Sequence, residues 1–99
     1  LMLLHSRAGS LRGGHSHDYP ETVLLLAGRA VYTIQNDGQI EVKTLLEGEA
    51  SFRPAGEIHL AEFPEDSWLV EWKIGVKAGE GNTTNHDPYH QLVTASILR

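Results

Sequence analysis

Gly13-Gly14-His15-Ser16-His17-Asp18-Tyr19-Pro20-Glu21 sets two histidines two positions apart and places a carboxylate just beyond a turn. In a strand, side chains two apart leave the same face with their Cα atoms about 6–7 Å from one another. Two imidazoles so placed can converge on one ion at about 2.1 Å. Asp18-Tyr19-Pro20 lets the chain reverse, so that Glu21 can present its carboxylate from the adjoining strand. A third imidazole, His59, comes from a distant segment, and Pro54-Ala55-Gly56 ahead of it forms the sharp turn that aims its strand. Taken singly, each of these residues reads as an ordinary surface or hydrogen-bonded side chain. Their joint spacing is what singles them out.

Outward from this stretch, glycines punctuate runs of strand length. Ala30 to Gln35 and Ile40 to Leu46 are rich in β-branched and aromatic residues, and Asn36-Asp37-Gly38 between them supplies the positive-φ positions of a tight hairpin. Further strands are predicted at Met2 to Ser6, Gly14 to His17, Thr22 to Ala27, Ala50 to Arg53, Ile58 to Phe63 and Ser67 to Ile74. Many short strands with regular turns specify an all-β sandwich or barrel. The tail admits two readings. Asp87 can cap a short C-terminal helix with Pro88 at its first position and Leu92, Val93 and Ile97 on one face, or Gln91 to Leu98 can form a last strand. Gly79 to Asn82 reads as a flexible connection.

The 99 residues make one domain, and no internal repeat appears. A barrel this small is thinly stabilised, so a metal and a partner subunit, most simply a homodimer, are expected. The absence of cysteine removes disulfides and thiolate sites, which leaves imidazole and carboxylate as the ligands for any transition metal. A net charge of −5 without a cluster of Lys and Arg argues against nucleic acid as a partner. The longest apolar run, Val23 to Ala27, is far too short to span a membrane, and Leu1 to Leu4 is too short for a signal sequence; a cytoplasmic location is the expectation.

The stretch from Gly13 to Gly28 resembles the first motif of the cupin superfamily, in which His-x-His is followed by Glu and then by Gly. Gly48-Glu-Ala-Ser-Phe-Arg-Pro54-Ala-Gly56-Glu-Ile-His59 is similar to its second motif of Gly, Pro, Gly and His. The two motifs and the hairpin between them cover residues 13 to 63, about half of the chain. The resemblance implies a single cupin-type barrel, a double-stranded β-helix or jelly roll. It also implies one divalent transition-metal ion (Fe, Mn, Ni, Co or Zn) held by His15, His17, Glu21 and His59. One position departs: where the second motif often has Asn four residues after its His, this chain has Phe63, and an apolar pocket follows.

Alternation places Ala61 and Phe63 on the His59 face, and Val23 and Leu25 on the Glu21 face. In Ser67 to Ile74 it sets Trp68, Val70, Trp72 and Ile74 against Leu69, Glu71 and Lys73, which predicts the tryptophan face as the inner one. The expected wall is therefore Phe63, Trp72, Trp68, Val23 and Ala61. Arg53, Tyr32 and Thr33 are the polar candidates for touching a substrate, subject to strand register, and His86, Tyr89 and His90 are candidates for closing the mouth. No Ser-His-Asp arrangement or nucleotide-binding glycine loop competes with the metal site. The leading expectation is a metal-dependent enzyme for a small organic molecule, of dioxygenase or isomerase type, with no catalytic residue assigned. A ligand-binding or sensing module, and a barrel with a purely structural metal, are the alternatives.

Overall fold

The computed structural model describes residues 1–77 and 79–97. Among the described residues, nine strands are followed by one helix. The strands are β1 (Met2–Ser6), β2 (Leu11–His17), β3 (Glu21–Ala27), β4 (Arg29–Asn36), β5 (Gln39–Leu46), β6 (Ala50–Arg53), β7 (Ile58–Glu62), β8 (Ser67–Lys73) and β9 (Thr83–Asn85), and the helix is α1 (Tyr89–Ile97). They form a sheet of order β1-β8-β3-β6 and a sheet of order β5-β4-β7-β2-β9, every pairing being antiparallel. This is the all-β jelly-roll architecture expected, with the short terminal helix.

Local chemistry accounts for most of the elements. The β4–β5 hairpin turns at Asp37 and Gly38, with φ of 49° and 78°, values that suit glycine and are tolerated by aspartate. In β3, Glu21, Val23 and Leu25 are buried while Thr22, Leu24 and Leu26 are less so, the period-two pattern of a strand with one face on the core. The core comprises Val23, Leu25, Ala30, Tyr32, Ile34, Leu45, Ala61, Phe63 and Leu69.

Three features differ from the sequence reading. In β8 the inner face is Leu69 and Glu71, not the tryptophans. Leu69 pairs with Leu25 and Glu71 with Val23, whose side chains fill the core, so the alternate positions turn outward. Trp68 is accordingly 46% exposed and rests on the His5 ring at 4.6 Å between centroids. Second, the tail after Pro88 forms the helix, the first of its two readings, but without the expected face. Leu92 is exposed on it and takes no part in the expected apolar face. Third, Thr83–Asn85, just past the Gly79 to Asn82 connection and given no strand in the sequence reading, pairs with β2 as an additional edge strand.

β2 carries an irregularity that governs the site. Gly13 pairs with Leu60 and His15 with His59, so Gly14 is an extra residue. Such a bulge resets the alternation, so that Arg12 and His15 both sit opposite inner-face residues of β7, Ala61 and His59. Only glycine suits Gly14. Its φ is 72°, and a Cβ there would lie 2.7 Å from the backbone nitrogen of His90, the point where α1 docks on the barrel.

Candidate metal centre

β2, β3 and β7 each contribute side chains to one focus. His15 and His17 leave the same face of β2, His59 stands opposite His15 on β7, and Glu21 opens β3 just past the Asp18–Pro20 turn. One ring nitrogen from each of the three histidines lies within 4.8 Å of those of the others. Oε1 of Glu21 is 3.4 Å from Nε2 of His17 and 3.7 Å from Nε2 of His59. The structure therefore brings the three histidines into one group, with Glu21 beside His17 and His59.

Their surroundings orient them. Nδ1 of His17 shares a 2.8 Å hydrogen bond with the Thr83 hydroxyl, so it is Nε2 that faces Glu21. β9, which supplies Thr83, thus fixes a ring of the site. Nδ1 of His59 is buried without a hydrogen-bond partner among the described residues. Burial, reinforced by the charge of neighbouring His17, pushes the His15 pKa down to about 4. Burial and the charge of Arg53 push His59 down to about 3. Both rings are neutral at pH 7 and present lone pairs, the state in which imidazole ligates. Burial opposes ionisation of Glu21, but His17, then His59 and Arg53, outweigh it and hold its carboxyl below the usual range.

This set fits a divalent ion. Two donors each about 2.1 Å from one ion sit roughly 3.0–3.4 Å apart, close to the spacing of Glu21 with His17. Three nitrogens and one oxygen suit borderline metals such as Zn, Fe, Mn, Ni or Co.

The focus opens into a cavity of about 890 Å³. Ala61 and Phe63 line it as expected. Val23 does not line it and belongs to the core. Trp72 borders it even though its position on β8 is on the outer face, whereas Trp68 lies away from it. Among the polar candidates, Arg53 and Tyr32 face inward, with the Arg53 guanidinium carbon 3.9 Å from the centre of the Tyr32 ring, and Thr33 falls on the opposite face of β4. Burial raises the Tyr32 phenol above its usual pKa. From the tail, His90, Val93 and Ile97 border the cavity. His86 instead shares a hydrogen bond with Ser16, and Tyr89 donates one to Gln35. Glu71 was missed by sequence reasoning: it lines the cavity, and burial followed by the nearby charge of Glu21 raises its pKa. The apolar look of its tryptophan neighbours hid it.

No family model matches the sequence. The chain is 26% identical over 77 residues to DNA damage-repair/toleration protein DRT102 of Arabidopsis thaliana, a match covering 73% of this chain and 24% of that protein. Among solved structures, it resembles the capsular polysaccharide assembling protein CapF from Staphylococcus aureus with a TM-score of 0.72 and 20% identity, over 85% of this chain and 27% of that one. It also resembles an oxalate decarboxylase of Bacillus subtilis, described for its Mn(II) centres, with a TM-score of 0.67 and 20% identity, over 80% of this chain and 22% of that one. The chain spans about a quarter of the length of each. At these identities the likeness is one of fold.

Proposed function

Starting from a domain with the cupin-superfamily fold, we propose that it holds one divalent transition-metal ion on His15, His17, Glu21 and His59 and uses it to bind and transform a small organic molecule. The observation that carries this reading is the cluster of three imidazoles, with Glu21 beside two of them, at the wall of a cavity of about 890 Å³, far larger than an ion needs and within the range of small-molecule sites. A purely structural metal would not call for that space. When bound, the ion supplies Lewis acidity and a docking point for an oxygen atom of the ligand.

The chain's own residues do the rest. Ala61 and Phe63 hold a carbon skeleton and exclude water, which strengthens every polar interaction beside them. Glu71, its carboxyl kept protonated to higher pH by burial, can hold a proton facing the same space. The reaction is of dioxygenase or isomerase type in this reading. A ligand-sensing module remains the alternative, and manganese is among the ions to try first, a choice supported by the Mn(II) centres described for the oxalate decarboxylase. A homodimer is part of the proposal, supported by the exposed apolar residues Met2 and Leu3 on the edge strand β1.

Elemental analysis of the purified protein should find one ion per chain. The Fe²⁺, Mn²⁺, Ni²⁺ and Zn²⁺ forms are then mixed with small carboxylates, diketones and phenols while binding and oxygen uptake are followed. Binding accompanied by turnover supports an enzyme, and binding alone supports a sensor. A protein that takes up no ion defeats the metal-centre reading.

A further inference from the structure

Arg53 ends β6 directly opposite Glu21 of β3 and is only 2% exposed. Its Nε lies 3.8 Å from Oε1 of Glu21, the same oxygen approached by His17 and His59. Both terminal nitrogens of its guanidinium are buried without a hydrogen-bond partner among the described residues. Among the described residues, Glu21 is the one carboxylate within 4.0 Å of it. Two other cations that border the cavity have partners: Arg12 donates to the Ser6 hydroxyl and the His5 carbonyl, and Lys73 to the Glu80 carbonyl, while Arg7, which also borders it, is exposed to solvent.

A buried guanidinium with unpaired N–H groups is costly to maintain, and its planar fork matches two oxygens of one carboxylate. The ring of Tyr32 supports the guanidinium from one side, which fixes the plane of the fork. A divalent ion at the proposed centre would add two positive charges beside it, which with Arg53 exceed what Glu21 and Glu71, the two carboxylates on the cavity wall among the described residues, offset. Charge complementarity thus favours an anion, and the neighbouring Ala61 and Phe63 favour an apolar body attached to it. Building on the small-molecule reading of the cavity, we infer that Arg53 recognises the carboxylate of a small, partly apolar organic acid, its terminal nitrogens donating to the acid's oxygens.

The test titrates benzoate and hexanoate, and their neutral counterparts benzamide and hexanamide, into the Mn²⁺-loaded and metal-free protein by calorimetry. Wild type is compared with Arg53→Gln and Arg53→Lys, each checked for folding by circular dichroism and for metal content by elemental analysis. Carboxylates are expected to bind at least roughly tenfold more tightly than the amides. Arg53→Gln should lose that preference in both metal states while its metal content stays at least as high as wild type. Arg53→Lys, which keeps the charge but not the fork, should fall between. The inference is overturned if folded Arg53→Gln binds the acids as wild type does, since the metal alone would then suffice. It is also overturned if acids and amides bind alike, or if neither binds. Should Arg53→Gln fail to fold, Arg53→Lys and the acid-to-amide ratio of the wild type decide the matter. If the protein takes up no ion, the metal reading fails, and the metal-free titrations still decide for or against Arg53.

Discussion

His59 joins β7 to ligands on β2 and β3, and it does so as a neutral ring with one nitrogen lacking a partner among the described residues. His59→Ala should therefore reduce metal occupancy to a small fraction of wild type and lower the thermal midpoint of the metal-loaded protein, as read by elemental analysis and calorimetry. Stoichiometric metal in a His15→Ala/His59→Ala double variant would rule the centre out. The lowered histidine pKa values also set a pH dependence for the metal-free protein. In the folded state His15 and His59 protonate near 4 and 3, against 6.5 in the unfolded chain, so between those limits the unfolded chain binds more protons. Their contribution to stability is present above about pH 6.5 and is lost as pH falls toward 3–4, and thermal melts across that window should show it. Glu71 works in the opposite sense. Its raised pKa costs stability as pH climbs above the ordinary carboxyl range, so Glu71→Gln should raise the melting temperature at pH 8 and leave it unchanged at pH 4.

At the scale of elements, β8 shows where alternation alone misleads. Two tryptophans on one face and two charged residues on the other make the aromatic face look internal, yet the register with β3 buries Leu69 and sends Trp68 out. Leu69→Ala should cost about 2–5 kcal/mol, and Trp68→Ala no more than about 1 kcal/mol, both measured by denaturant unfolding. The hairpin at Asp37-Gly38 was legible because its turn residues carry their own conformational demand. The bulge at Gly14 was not, because an extra glycine within a strand leaves no mark on the hydrophobic pattern. Gly14 also seats α1, so Gly14→Ala, strained at φ of 72° and colliding with His90, should cost about 1–3 kcal/mol. Faster hydrogen exchange across Tyr89–Ile97 would show that the seat is lost.

Across the whole molecule, the barrel and its three clustered histidines with Glu21 beside two of them were legible from two short motifs because each anchor there has a fixed geometric duty: a turn glycine, a rigid proline or a candidate ligand. Glu71, Thr83 and the inward turn of Arg53 were harder to read, since they depend on which strands pair and in what register. The exposed apolar residues Met2 and Leu3 on edge strand β1 and Ile40 and Val42 on edge strand β5 lead to the expectation of a dimer. Light scattering at micromolar concentration should give twice 10.9 kDa, and the single-chain mass would exclude it. His15, His17, Glu21 and His59 and the strands that carry them all precede the helix whose Val93 and Ile97 border the cavity. Lifting α1 from its seat would therefore open a doorway on that side of the cavity while every one of the four side chains stays on its own strand.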